Sequence, residues 1–139
     1  MVLVDSSVWI EALRREGRLD VKLALESLLE EYEATWCGPV KLEVLGGARQ
    51  QDRKVLEEQF SCIPYYQMTD AAWEGAKNLA WRLRDKGCTA PWNDILIASL
   101  SLKAGCRIYA VDKHFTLMSQ ADAGIRLYEA GYGGKYNPN

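Results

Sequence analysis

The first four residues, Met1-Val2-Leu3-Val4, are apolar without a break and stop at Asp5-Ser6-Ser7, the pattern of a strand buried on both faces that runs into a helix cap. Val8, Trp9, Ala12 and Leu13 then carry a helical stripe that stops near Gly17. Leu25, Leu28, Leu29 and Tyr32 stand 4, 7, 8 and 11 positions after Val21, a 3.6-residue period, and predict a second helix with Asp20 as its N-cap. Ala34 to Cys37 reads as another short strand. Pro39 suits the first turn of a helix that closes around Gly46-Gly47. Gln51 to Phe60 reads as an exposed helix and Cys62 to Gln67 as a strand. Thr69 caps a long amphipathic helix carrying Ala72, Ala76, Leu79, Ala80 and Leu83, closed by Gly87. After Pro91, Asn93 to Ala104 is a largely apolar helix ended by Gly105. Arg107 to Val111 and Ile125 to Tyr128 are the last expected strands. Gly131 to Asn139, with three glycines and a proline, is expected to be a loose, flexible tail.

Strands that alternate with helices, several of them apolar on both faces, predict an α/β sandwich with a mostly parallel central sheet covered on both sides. Residues 1–130 form one expected domain, since no repeat, linker or low-complexity stretch divides them. With 139 residues and 48% hydrophobic positions, the chain is long enough to bury a full core. Apolar runs such as Ile95 to Ala98 and Ile108 to Val111 reach only four residues, far below the roughly 18 a membrane span requires. No basic stretch followed by an apolar one opens the chain, so a cytoplasmic location is expected.

Charge and rare residues narrow the chemistry. Seventeen basic against nineteen acidic side chains leave a net charge of −2, which argues against a broad positive surface gripping nucleic acid. An enzyme that acts on nucleic acid through a metal-binding acid cluster stays compatible with that balance. The one histidine, His114, removes multi-histidine zinc sites and histidine-pair ribonuclease chemistry. The four cysteines, at 37, 62, 88 and 106, form no CxxC motif and are expected as free thiols. Ser6, Ser7 and His114 lack the GxSxG elbow of a hydrolase triad.

The acids then separate into two groups. Lys22–Glu26, Arg53–Glu57, Lys54–Glu58, Glu11–Arg15 and Glu74–Lys77 stand at helical spacing and read as solvated surface pairs. Glu43 has only Pro39, Val40, Gly46 and Gly47 at its helical neighbours, and Asp94 only Ala90, Pro91, Ile97 and Ala98. Asp5 and Asp112 each end an apolar strand, where an open parallel sheet places its site. Taken singly, each acid reads first as a strand-end or helix-start cap. If all four converge, their mutual repulsion is relieved by a divalent ion, and oxygen-only ligation suits Mg²⁺ or Mn²⁺. Such a site can hold a phosphodiester and activate a water against it.

The segments carrying these acids resemble the PIN-domain ribonucleases, in particular the VapC-type toxins of toxin–antitoxin pairs. Val2 to Ile10 is similar to that family's first strand and signature Asp, Val40 to Ala48 to its helical Glu motif, Trp92 to Ala98 to its third acidic motif, and Val111 to Phe115 to its fourth. The resemblance implies a PIN-like α/β/α sandwich, with Asp5, Glu43, Asp94 and Asp112 as catalytic and metal-binding acids and Ser6 beside the first. It further implies Mg²⁺- or Mn²⁺-dependent cleavage of RNA, a homodimer and inhibition by a cognate antitoxin. Ala110 departs from the Ser or Thr that the family often carries two residues before the fourth acid.

Trp92 and Asn93, adjoining Asp94, are further candidates for contact with substrate, Trp92 by stacking on a base. His114 follows a strand-end loop and reads as structural or exposed. Lys113, Arg14 and Arg15 read as solvated surface charge. Two other classes compete: a non-catalytic PIN-like binding module, and a phosphoacceptor receiver domain. A receiver needs an acidic pair at the first strand end, where this chain has Asp5-Ser6-Ser7.

Overall fold

A computed structural model describes Met1–Asn139. Its centre is β1 (Val2–Val4), whose three side chains are fully buried. Alternate residues of a strand point to opposite faces, so both faces of the sheet are covered. Around it stand β2 (Ala34–Cys37), β3 (Tyr65–Tyr66) and β4 (Arg107–Tyr109), in the order β3-β2-β1-β4 and all parallel. Leu3 sits opposite Thr35 on one side and Ile108 on the other. The helices are α1 (Ser6–Leu13), α2 (Leu19–Glu30), α3 (Gly38–Val44), α4 (Arg53–Ser61), α5 (Asp70–Asp85), α6 (Trp92–Ala104) and α7 (His114–Ala121). The architecture is the expected α/β sandwich, with its sheet entirely parallel. No helix is long and apolar enough to cross a membrane.

The strand order reverses beside β1, because the chain leaves β1 for β2 on one side and returns as β4 on the other. Parallel sheets of this kind form their sites at the carboxyl ends of the strands flanking that switch point. Asp5 and Asp112 follow those two strands, and the Asp5 N–H still donates to the Tyr109 carbonyl at 2.9 Å, extending the β1–β4 pairing to the rim. On the next strand β2 runs directly into α3, with Pro39 in its first turn, and α3 carries Glu43. Helix α6 ends at Gly105, whose φ of +68° is the left-handed cap that lets the chain turn back into β4.

Several boundaries differ from expectation. The strand expected over 62–67 is reduced to Tyr65–Tyr66, since Cys62 still closes the last turn of α4 and Pro64 has no N–H for a ladder. Helix α4 is not fully exposed, for Leu56 and Phe60 enter the core, where Phe60 meets Trp9 and Trp36 at centroid distances of 4.5 and 4.4 Å. Ile125 to Tyr128 forms only a parallel bridge, with Ile108 donating to Arg126 at 2.9 Å and Tyr128 to Ile108 at 2.7 Å. Asp20 does not cap α2: the helix begins at Leu19, and both Asp20 carboxylate oxygens accept from the Arg18 guanidinium, at 3.2 and 2.7 Å.

The tail is a strap rather than a loose end. A 3-10 turn at Tyr132–Gly134 packs on α2, the Tyr136 N–H donates to Ser27 Oγ at 2.8 Å, and Arg107 donates to the Asn137 carbonyl at 2.9 Å. The Tyr136 ring stacks on Tyr128, over which Arg107 also lies at 5.0 Å. Gly134 serves close approach. At Gly134 φ is +83° and an added Cβ would stand 2.8 Å from the Leu23 Cβ.

Candidate active site

Asp5 is fixed by its place between β1 and α1. As N-cap of α1 it accepts the Ser7 N–H on Oδ2 at 3.1 Å, while Oδ1 is buried with no hydrogen-bond partner at all. The residue is only 2% exposed. Burial pushes its carboxyl up to about 6, and the Asp112 and Asp94 charges add to that push against the Ser7 hydrogen bonds.

Asp94, the third residue of α6, is 8% exposed. No neighbour on its own helix neutralises it. Its Oδ2 lies 2.7 Å from His114 Nδ1, the imidazole coming from the first turn of α7. Burial first, and then the Asp112 charge, hold this carboxyl above its ordinary range, while the histidine pulls it back. Asp112 is half-buried and accepts the His114 backbone N–H on Oδ1 at 3.0 Å. His114 Nδ1 is also 3.7 Å from that oxygen. Glu43 is exposed on α3 and accepts from Asn93 Nδ2 at 3.3 Å.

All four acids line one cleft of about 540 Å³, together with Ser6, Ser7, Ile10, Pro91, Trp92, Asn93 and His114. Within it Asp94, Asp112 and His114 form the tightest group, each offering a ligand atom within 4.8 Å of the others. Asp5 and Glu43 line the cleft outside that group. Neither Lys nor Arg lines it, so no fixed cation of the protein balances the four carboxylates. An orphaned buried carboxylate oxygen, beside two acids whose charges disfavour its own, fits a hard divalent cation.

Ser6 is buried at the cleft and Trp92 is exposed at its rim, while Asn93 holds Glu43. Two contributors escaped the sequence reading. His114 touches both Asp94 and Asp112. It stands two residues after a strand-end acid, so the rule that singled out Asp112 reaches it as well. Ser7 Oγ accepts the Val111 N–H at 3.1 Å, so the hydroxyl beside the Asp112 loop comes from α1 rather than from position 110. The cysteines stay outside the site's chemistry. All four are free, and burial pushes the Cys37 thiol up to about 12, an inert core group.

The PIN domain family profile matches residues 2–120. The VapC ribonuclease Mb1587 of Mycobacterium bovis and the ribonuclease VapC11 of Mycobacterium tuberculosis are each 30% identical over 125 residues, covering 86% of this chain and 92% of theirs. Among solved structures, FitAcB from Neisseria gonorrhoeae aligns with a TM-score of 0.72 at 18% identity, over 93% of this chain and 97% of that one. VapBC2 from Rickettsia felis, bound to a promoter DNA fragment, aligns at 0.74 and 16%, over 92% and 98%. The chain belongs to the PIN-domain family.

Proposed function

We propose that the protein is a VapC-type ribonuclease, the toxin of a toxin–antitoxin pair, and that Asp5, Glu43, Asp94 and Asp112 are its catalytic and metal-binding acids. One observation carries this reading: four carboxylates share a cleft that contains no Lys or Arg, and one of them keeps a buried oxygen without a donor. The two relatives named as ribonucleases support the reaction class. Mg²⁺ or Mn²⁺ bound there supplies positive charge to the scissile phosphodiester and activates the attacking water. The chain's own part is to hold the acids at fixed positions. Ser7 pins Asp5, His114 spans Asp94 and Asp112, and Asn93 steadies Glu43. Ser6 lies beside the first acid, and exposed Trp92 offers a ring on which a base of the RNA stacks. With water as nucleophile, the products carry a 5′-phosphate and a 3′-hydroxyl. The test is cleavage of RNA by purified protein with Mg²⁺, Mn²⁺ or chelator, with the ends of the products determined. Uncut RNA under every metal condition contradicts the reading.

Exposed apolar surface supports two protein partners. Ile10 and Leu13 of α1 and Leu42 of α3 are exposed on two helices in contact, and Ile10 lines the acid cleft itself. An amphipathic segment of a cognate antitoxin covers this face and brings a basic side chain among the acids. Trp73, Trp81 and Trp92 stand exposed around a second, apolar groove of about 640 Å³ between α5 and α6. A second copy of the chain covers that groove in a homodimer. The toxin acts in the cytoplasm. Co-expression with the small neighbouring gene relieves growth arrest if the pairing holds, and failure to relieve it removes the antitoxin while sparing the nuclease.

A further inference from the structure

We propose that His114 is a positioning residue of the active site, whose ring and backbone amide together hold one oxygen each of Asp94 and Asp112 and leave the other oxygen of each for the cation. The inference rests on the metal-site reading above. Its basis is a doubled contact from a single residue: Nδ1 lies 2.7 Å from Asp94 Oδ2, and the backbone N–H donates to Asp112 Oδ1 at 3.0 Å. Asp94 Oδ1 and Asp112 Oδ2 take no protein donor. With Asp94 ionised, as a cation beside it demands, the carboxylate accepts and the short contact places the hydrogen on Nδ1. A ring nitrogen that donates to a carboxylate has no lone pair for a metal. His114 Nδ1 therefore orients a ligand instead of being one, although its position among the acids admits either arrangement on distance alone.

The placement explains why the residue sits where it does. Asp94 comes from the start of α6 and Asp112 from the loop after β4, two elements joined at this rim by no other side-chain hydrogen bond between their acids. Without the imidazole, the Asp94 side chain is free to rotate into positions that no longer share a cation with Asp112. Carboxylates that ligate metals are commonly held by such outer partners, whose loss costs about 10-fold to 100-fold in affinity or activity.

The test compares His114→Ala, His114→Asn and His114→Gln in the full chain, with Mn²⁺ alone as the probe and free Mn²⁺ read by electron paramagnetic resonance. The Asn amide nitrogen falls near the place of Nδ1, whereas the Gln amide nitrogen falls near Nε2. Expected is Mn²⁺ binding weakened about 10-fold or more in His114→Ala and His114→Gln, with His114→Asn restored to within about threefold of wild type. Melting curves establish that each variant is folded, and the equal-sized Asn and Gln forms keep the comparison if the alanine form is not. Because His114 is the chain's one histidine, ¹⁵N-histidine labelling gives a single ring. Its Nδ1 is expected to keep its hydrogen when Mg²⁺ is added. Two results overturn the proposal while leaving the nuclease intact: wild-type Mn²⁺ affinity in folded His114→Ala, or loss of the Nδ1 hydrogen on adding Mg²⁺, which makes the ring a ligand. Wild-type protein that neither binds Mn²⁺ nor cuts RNA overturns the metal-site reading itself, and this proposal with it.

Discussion

Ser7 Oγ accepts the backbone N–H of Val111 at 3.1 Å, a bond between residues 104 positions apart that ties the first turn of α1 to the loop carrying Asp112. The same residue donates its own N–H to Asp5 Oδ2. Ser7 thus couples the acid after β1 to the acid after β4, the two that flank the switch point of the sheet. Removing the hydroxyl leaves the Val111 N–H without its partner at a part-buried position. Ser7→Ala is expected to cost about 1 to 2 kcal/mol in denaturant unfolding. RNA cleavage is expected to fall more steeply than the loss of folded protein accounts for. Unchanged cleavage in a destabilised Ser7→Ala protein would separate the bond from the chemistry.

The buried Asp5 carboxyl sets a pH dependence of stability in metal-free protein. Its folded value, about 6, lies above the ordinary value of 3.8, so the folded state holds this proton more tightly than the unfolded chain. Below about pH 4 both states carry the proton and nothing is lost. Between the two values stability falls as pH rises, and above about pH 6 the full penalty stands, on the order of 2 to 3 kcal/mol. The raised Asp94 carboxyl acts in the same direction. Melting temperature without metal is expected to drop from pH 4 to pH 7, after allowance for the surface charges, and added Mn²⁺ to recover it at pH 7. Asp5→Asn removes the buried charge and keeps an acceptor for the Ser7 N–H. It is expected to raise the metal-free melting temperature at pH 7 but not at pH 4. A variant less stable at both pH values would show that the carboxylate is a structural cap.

The strap makes a separate claim. Gly134 holds φ at +83°, and a methyl group there meets Leu23 and the backbone of Ala24. Gly134→Ala is expected to lower stability by about 1 to 3 kcal/mol, from left-handed strain together with displacement of the 3-10 turn from α2. Amide hydrogen exchange at Tyr136, whose N–H donates to Ser27 Oγ, is expected to accelerate with it. Unaltered exchange would mean that residues 131–139 are as loose as their composition implies.

What the residue pattern disclosed depended on whether the deciding partner was local. β2 was readable to its last residue, because Ala34 to Cys37 follows the polar run ending at Glu33 and stops at Gly38-Pro39, where the next helix begins. Asp5 was readable as a strand end, and Glu43 and Asp94 as acids without a cation on their own helices, whereas Asp112 stands three residues past β4, which stops at Tyr109 instead of Val111. The partner of Asp94 was not readable, since His114 arrives from another element twenty residues on. Surface pairing fared worse. Of the expected pairs Glu74–Lys77 forms, at 2.7 Å, whereas Glu11 turns to Arg14 and to the Arg18 N–H instead of Arg15. Helical spacing permits such a pair without selecting one among competing donors. The tail differs for a related reason: Gly134 is demanded by a close approach to α2, and composition alone carries no trace of that surface.

The central claim is that the four carboxylates act by holding a cation, and one assay reaches it directly: RNA cleavage by wild type, by wild type with excess chelator, and by Asp94→Asn. An amide keeps the shape of the side chain and loses the charge. Cleavage by Asp94→Asn is expected to fall by about 100-fold or more with folding preserved, chelation to do the same to wild type, and added Mn²⁺ to restore part of the variant's activity. Full activity in Asp94→Asn, or in wild type under excess chelator, would contradict the account and return these acids to the role of helix and strand caps.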